Sequence, residues 1–304
     1  MTNRSRPAFS LFELLVILAI LGLLLALFLP ALAKVRQAAN RINSQNNLKQ
    51  LALACHNYHA AFGFFPPGND ANNFSAAAYL LPYVEQDNLY KLIDFKKPVT
   101  DAANKQVRET MVKLFLSPDD PRERVKEGLG ATSYLFNAGS KPGLEKNNGV
   151  FFQDSKIRLS EIPDGTSNTL MIGETLKGDG GTKAVDVRRQ NIFYKKDALK
   201  DLKDETGVQD WKNNQHIAGD RCASWIDGRF LQGTFTGTRS INDKRPDVDC
   251  GGVGGLSGLR SINTIANVAI CDGSVRTLKQ TIKLDTLKLL ANRADGQVIN
   301  DPDF

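Results

Sequence analysis

The chain has 304 residues, of which 41% are hydrophobic and 24% charged, and its formal net charge is +6. This length suits one large or two small globular domains, and a mean hydropathy of −0.29 excludes a protein with many membrane spans. Most of the positive charge lies in the first 60 residues, where Glu13 is the only acid and the bases are Arg4, Arg6, Lys34, Arg36, Arg41 and Lys49. The rest of the chain is close to neutral, so we expect no nucleic-acid partner.

An uncharged apolar run extends from Leu14 to Leu29, and Arg4 and Arg6 precede it. At about 1.5 Å per residue this run would form a helix of ~24 Å, and its apolar flanks extend it to a membrane span over residues 11–33. Glu13 lies inside the span, where an acidic side chain is costly unless a cation neutralises it. We therefore predict one membrane-spanning helix with a carboxylate that needs a cationic partner.

The segment Ala8–Leu15, AFSLFELL, resembles the cleavage and methylation site of type IV prepilins and type II secretion pseudopilins. The resemblance implies that a prepilin peptidase removes residues 1–8 as a leader and that the new amine of Phe9 is methylated. It also implies assembly, because the Phe9 ammonium of one subunit can neutralise Glu13 of its neighbour. Ala8 departs from the Gly that usually precedes the cut in that family, so we expect slower cleavage.

Two alternatives remain for the N-terminus. A secretory signal peptide would use Arg4 and Arg6 as its basic region and residues 31–33, ALA, as its cleavage site, which leaves Lys34 as the first residue. An uncleaved anchor would begin at Met1. Because basic residues flank both ends of the run, their count does not give the orientation. The prepilin resemblance implies a single-pass inner-membrane protein with an extracytoplasmic C-terminal domain.

Apolar and small residues continue at three- and four-residue spacing from Val35 to Tyr58, which predicts an amphipathic helix. We expect one helix from Phe9 to about Tyr58, within residues 9–62, that ends at Gly63 before two prolines. Its first half would be the membrane anchor and its second half the spine of the domain. His56 and His59 lie on it without an evident third metal ligand, so we expect them to pack or cap.

Blocks of sequence spread along the chain resemble the DUF1559 family, namely residues 46–51, 56–59, 65–68, 80–90, 115–118, 132–134 and 164–174. Together, the two resemblances imply an α+β, pilin-like fold in which the long N-terminal helix packs on a β-rich domain of residues 63–304. Ser117 stands where the family usually has Cys. Residues 262–265 replace a His-containing segment of the family.

Local patterns predict short helices over residues 75–93, broken at Pro82, and one within 101–111. They predict strands over 112–116, 132–136, 149–152 and 169–174. Residues 265–271 and 274–278 flank Asp272-Gly273, which predicts a hairpin with a two-residue type I′ turn. Residues 183–210 are charged and weakly patterned, so we expect an exposed excursion with one helix near Ala198, and Asp285 is expected to cap a C-terminal helix.

The four cysteines allow at most two disulfides if the domain is exported. We prefer the pair Cys222–Cys250, because both flank loops rich in Gly and Asp. Cys55 and Cys271 are expected to be small buried residues.

Asp243, Asp247 and Asp249 lie beside a glycine-rich loop and loosely resemble the calcium loop of some pseudopilins. Their spacing does not fit an EF-hand, and the alternative is a solvated acidic turn. Calcium is the one cofactor that the sequence suggests.

No hydrolase, zinc-protease, phosphate-loop or dinucleotide motif occurs, so we expect no enzyme. The first functional hypothesis is a pilin-like or pseudopilin-like structural subunit, whose partners are prepilin peptidase, other pilin-like subunits and the membrane. The second is a tethered or secreted domain that binds a ligand such as a glycan. Trp211, Trp225, Tyr194 and Phe235 could supply its stacking surfaces, but we expect these side chains to pack in the core.

Overall fold

A computed structural model of the chain describes residues 11–203, 216–299 and 301. The chain divides into two compact units, Met1–Ile42 and Asn43–Phe304. One helix, α1 (Leu11–Phe62), contributes to both of them. The predicted α+β class is confirmed, because this long apolar helix is followed by a domain built on two sheets.

The part of α1 in the first unit is mostly apolar up to Ala33 and more basic or polar beyond it, and every residue from Leu11 to Ala39 is exposed. Among the described residues, α1 is the one helix long and apolar enough to cross a membrane, a test that a signal sequence also passes. Pro30 lies inside the helix without ending it. An exposed apolar helix of this kind is consistent with a membrane anchor.

The part of α1 in the second unit is amphipathic. Leu48, Leu51, Cys55 and Tyr58 are buried, as the periodic pattern predicts. The helix ends at Gly63, which has a φ of +81° and donates its N–H to His59 O at 2.7 Å. A left-handed glycine is a common helix end because it has no Cβ to clash with the backbone.

Short helices and 3-10 turns connect α1 to the sheets. The helices are α2 (Ala76–Leu80), α3 (Asp87–Tyr90), α4 (Lys105–Glu109) and α5 (Leu284–Ala291). The 3-10 turns are Leu81–Val84, Ala102–Asn104, Lys113–Phe115, Leu159–Glu161, Thr166–Asn168 and Lys196–Asp201. The predicted helices over residues 75–93 and 101–111 are confirmed, including the change of structure at Pro82.

Nine strands are described: β1 (Tyr134–Gly139), β2 (Leu170–Glu174), β3 (Asn191–Tyr194), β4 (Ile217–Ala218), β5 (Thr234–Thr236), β6 (Asp247–Cys250), β7 (Gly255–Leu256), β8 (Ile265–Ile270) and β9 (Val275–Lys279). They form a five-stranded sheet in the order β5-β1-β2-β8-β9 and a four-stranded sheet in the order β4-β3-β6-β7. Only β1–β5 and β3–β6 pair in parallel among the described strand pairs. The register places Phe136 opposite Ile172 and Gly173 opposite Val268.

The predicted β8–β9 hairpin is confirmed, but its turn differs from the predicted type I′ turn. Gly273 has a φ of +81°, whereas Asp272 does not have a positive φ. Gly273 donates its N–H to Ile270 O at 2.8 Å, and Asp272 Oδ1 accepts the N–H of Ser274 at 2.8 Å. The Asp side chain therefore favours a type I turn that is followed by a left-handed glycine.

Three further predictions were wrong. Residues 113–115 form a 3-10 turn instead of a strand, because Phe115 packs on Trp225 with ring centroids 5.3 Å apart. Residues 149–152 contain no named strand, although Phe151 donates its N–H to Asn137 O at 2.9 Å. Residues 183–210 were predicted to form an exposed excursion, but they include β3, which pairs with β4 and β6 inside the smaller sheet.

Candidate functional site

The second half of α1 is held on the domain by polar side chains as well as by its apolar stripe. Ser44 Oγ lies 3.0 Å from the hydroxyl of Tyr134, at the start of β1. Asn47 Nδ2 donates to that hydroxyl at 3.3 Å and to Leu116 O at 3.1 Å. Ser44 and Tyr134 are buried, so these bonds fix the rotation of the helix on the sheet.

A second set of hydrogen bonds continues from α1 to the end of β2. Gln45 Nε2 donates to Asn267 Oδ1 at 3.3 Å and to Thr277 Oγ1 at 3.2 Å. Asn267 Nδ2 donates to Glu174 Oε2 at 2.7 Å, and Ser117 Oγ donates to Glu174 Oε1. We call these residues the helix-docking network: Ser44, Gln45, Asn47, Ser117, Tyr134, Glu174, Asn267 and Thr277.

Glu174 is the one acid of this network. Burial raises the pKa of its carboxyl above the ordinary value, and the hydrogen bonds from Ser117 and Asn267 act in the opposite direction. Burial also raises the pKa of the Tyr134 phenol, and the neighbouring Glu174 carboxylate adds to that shift. The helix-docking network therefore joins α1 to the sheet through the Glu174 carboxyl, and burial disfavours the charged form of that carboxyl.

Other residues of α1 continue the docking toward its end. Lys49 Nζ donates to Gly273 O at 2.6 Å, in the turn of the β8–β9 hairpin. His59 Nε2 accepts the N–H of Leu159 at 3.2 Å, and its ring centroid lies 5.0 Å from that of Phe65. His56 also packs on Phe65, at 5.7 Å. In the part of the chain that the structure describes, no group of three or more His, Cys, Asp or Glu side chains could hold a metal ion.

Most of the sequence blocks that resemble DUF1559 contribute to this docking. Residues 46–51 and 56–59 lie on α1, residues 115–118 supply Ser117, residues 132–134 supply Tyr134, and residues 164–174 supply Glu174. Residues 80–90 supply Tyr83, whose ring centroid is 6.0 Å from that of Tyr58. The sequence shows each block, but it does not show that these blocks meet at α1, because the contacts join residues that are far apart in the chain.

Two of the blocks that resemble DUF1559, residues 65–68 and 164–174, also contain a residue that the local backbone geometry requires. A Cβ on Gly68 would lie 2.0 Å from Phe151 O, so that position of the block 65–68 accepts only glycine. The carboxylate of Asp164 accepts the N–H of Asp295 at 2.6 Å and that of Gly296 at 2.8 Å. Within residues 164–168, Asn168 Nδ2 donates to Asp164 O at 3.2 Å, so side chain to backbone bonds also hold this turn.

The residues predicted for processing and assembly are only partly described. Ala8, Phe9 and the rest of the leader lie outside the described residues. Glu13 lies in the first turn of α1, within its exposed apolar part. Its predicted role and those of Ala8 and Phe9 stay predictions.

Of the aromatic residues considered for glycan stacking, two of the three that the structure describes are buried in the core. Trp225 and Phe235 are 1% and 0% exposed, and the Trp225 indole N–H donates to Thr110 O at 2.8 Å. Tyr194 is half-buried, and Trp211 lies outside the described residues. Both buried rings are core residues, as expected, so neither offers its face to a glycan ring.

The three aspartates predicted to bind calcium have separate partners. Asp243 Oδ2 lies 2.6 Å from Arg245 Nη2. Asp247 is fully buried between Arg221, with Oδ2 and Nη1 2.6 Å apart, and Arg260. Asp249 accepts the N–H of Gly252 at 2.8 Å, and burial raises the pKa of its carboxyl to about 7. Because arginines neutralise two of these carboxylates, they form no cluster for a cation.

The predicted Cys222–Cys250 disulfide is absent from the structure, where all four cysteines are buried free thiols. Cys222 packs in the apolar cluster of Leu135 and Phe235, whereas Cys250 packs with Val248 and Leu256. Burial raises the pKa of each of these two thiols to about 11. They therefore stay protonated at neutral pH and behave as small apolar residues.

The chain matches the model of a protein family described as a protein of unknown function (DUF1559) over residues 33–285. This range includes the second half of α1, the helix-docking network and both sheets. No curated protein and no solved structure matches the chain.

Proposed function

Because the chain belongs to the DUF1559 family and carries an N-terminal apolar helix, we propose that it is a pilin-like or pseudopilin-like structural subunit of a cell-envelope fibre or secretion apparatus. Prepilin peptidase would cut between Ala8 and Phe9, and the Phe9 amine would be methylated. The apolar part of α1 would anchor the subunit in the membrane, and the domain would be extracytoplasmic.

The observation that carries this proposal is the continuity of α1. The helix runs from Leu11 to Phe62 without a break at Ala33, where a signal peptidase would have to cut. Its second half is part of the domain core, since Leu48 and Cys55 are fully buried. Removing the apolar part at Ala33 would therefore cut a continuous helix, whereas a cut before Phe9 leaves the whole helix attached to the domain.

Glu13 gives the proposal its chemistry. An acid in a membrane span costs up to roughly 2.5–3.5 kcal/mol at the centre of the span and less toward its ends, where Glu13 lies, and an ammonium on a neighbouring subunit can offset this cost. Cleavage before Phe9 creates such an ammonium four residues ahead of Glu13 in the sequence. A pair between Phe9 of one subunit and Glu13 of the next would set the order in which subunits assemble.

The test is the incorporation of Glu13→Gln into assemblies. Two copies with different C-terminal tags are expressed together, and the high-molecular-weight membrane fraction is captured through one tag and probed for the other. We expect Glu13→Gln to lower co-capture at least about tenfold, equivalent to ~1.4 kcal/mol, while the variant stays in the membrane after alkaline extraction.

Glu13→Asp keeps the charge and is the matched control, so it should retain more co-capture than Glu13→Gln. If Glu13→Gln is cleaved and incorporated as well as the unchanged protein, the subunit proposal loses its assembly mechanism.

A further inference from the structure

The side of α1 that faces away from the domain has a regular pattern. From Asn43 to Ala60, exposed residues recur there at three- and four-residue spacing, which is the spacing of the contact positions in a two-stranded coiled coil. We call these residues the amide face of α1: Asn43, Asn46, Gln50, Leu53, Asn57, Ala60 and Ala61.

The amide face carries no charge. Solvent-facing sides of helices are usually rich in charged residues, and 24% of this chain is charged. Within residues 43–62 the only Lys, Arg, Asp or Glu is Lys49, and its ammonium donates to Gly273 O of its own domain. Leu53 is 58% exposed at the centre of the face. Depletion of charge around an exposed apolar residue is typical of the centre of a protein interface.

We propose that the amide face pairs with the same face of a second copy of this chain in the same membrane. This inference rests on the proposed function, which anchors both copies in one bilayer. Asn and Gln side chains both donate and accept hydrogen bonds, so an amide face is complementary to itself. A charged partner would find no opposite charge on this face.

The size of the amide face shows when the pair can form. Residues 43–61 extend over ~27 Å at 1.5 Å per residue, and a strip about 10 Å wide gives roughly 270 Å² for each copy. Stable protein interfaces bury about 800 Å² per partner, so this contact is too small to hold two free domains together. Anchoring both copies in one membrane raises their effective concentration and makes the contact sufficient.

Photo-crosslinking of the full chain in membranes tests the pair. p-Benzoylphenylalanine is placed at Leu53, at Leu21 within the apolar part of α1, or at Lys96 on an exposed loop of the domain. Copies with two different tags are expressed together, irradiated, captured through one tag under denaturing conditions and probed for the other. We expect crosslinks between copies from Leu53 and from Leu21 but not from Lys96.

The outcomes separate this inference from the proposed function. If Leu21 gives crosslinks between copies and Leu53 gives none, or gives crosslinks only to other proteins, the pairing is wrong while the subunit function stands. If neither position gives crosslinks between copies, both are overturned.

A charge on the face supplies a second measurement. Gln50→Glu places a carboxylate on the uncharged amide face of each copy, so like charges oppose the pair and the yield of the Leu53 crosslink should fall about tenfold. Asn88→Asp adds the same charge at an exposed residue elsewhere on the domain and should leave the yield unchanged. An undiminished crosslink in Gln50→Glu would exclude the pairing.

Discussion

The hydroxyl of Tyr134 illustrates how single atoms hold α1 on the domain, since it contacts both Ser44 and Asn47. Tyr134→Phe would leave the buried Ser44 hydroxyl without this partner. We expect the free energy of unfolding to fall by about 1–2 kcal/mol, measured by urea denaturation followed by circular dichroism. Tyr194→Phe, at a half-buried position, is the control and should change it by less than about 0.5 kcal/mol. An equal effect of the two substitutions would contradict a special role of Tyr134.

Glu174 gives the domain a specific pH dependence. Its pKa is raised in the folded state, so the folded protein binds the proton more tightly than the unfolded chain. The stabilising contribution of this group is complete below the ordinary pKa of a glutamate and is lost as the pH rises through the raised value. Glu174→Gln lacks this loss, so its stability relative to the unchanged protein should increase as the pH rises from about 4 to about 7.

The measurement is urea denaturation of both proteins at several pH values. Glu127→Gln, at an exposed residue, is the matched control and should show no such trend. A stability difference between Glu174→Gln and the unchanged protein that is constant with pH would show that Glu174 carries the same charge in both states.

The residues that dock α1 on the domain show which contacts a sequence pattern can predict and which it cannot. The stripe of Leu48, Leu51, Cys55 and Tyr58 was predictable, because helical periodicity is a local signal. The partners of Ser117 and Tyr134 were not, because each lies on a segment whose position depends on the sheet. The aspartates near residue 247 show the same limit, since the arginines that neutralise Asp247 come from residues 221 and 260.

At the scale of elements, α1 has one side in the core and one side exposed. Leu48 is fully buried, whereas Leu53 is 58% exposed. We expect Leu48→Ala to lower the free energy of unfolding by about 2–5 kcal/mol and Leu53→Ala by less than about 0.5 kcal/mol, both measured in detergent. Similar losses for both variants would mean that α1 is not docked by the side that the structure shows.

The connection between α1 and α2 depends on Gly68. An Ala at this position would place its Cβ against Phe151 O, which is backbone and cannot move aside as a side chain can. We expect Gly68→Ala to lower the free energy of unfolding by about 3 kcal/mol or more, at the upper end of the range for overpacking. Gly143→Ala is the control, because the nearest atom to its Cβ would be Leu199 Cδ2 at 3.6 Å. Equal stability of both variants would contradict the close approach at Gly68.

Elements with strong local signals were predicted well, and those decided by packing were not. The long helix, the helices over 75–93 and the β8–β9 hairpin have periodicity, proline or Asp-Gly signals of their own. Residues 112–116 have a strand-like composition, but packing of Phe115 on Trp225 produces a 3-10 turn there. The strand β3 lies in a charged stretch and exists because β4 and β6 pair with it.

For the whole molecule, one helix, α1, contributes to both compact units. The first unit supplies the exposed apolar surface, and the second supplies the core in which α1 ends. Under the proposed function, a prepilin-type cut would keep this helix with the domain, and the new amine would meet Glu13 of a neighbouring subunit. A signal-peptidase cut at residue 33 would discard the anchor and with it any assembly through the membrane.

The most direct measurement is therefore the N-terminus of the mature protein purified from its own cells, determined by mass spectrometry of the first peptide. The proposed function predicts N-methylated Phe9 as the first residue. A mature chain that begins at Lys34 would contradict it, because the segment that carries Glu13 would have been removed.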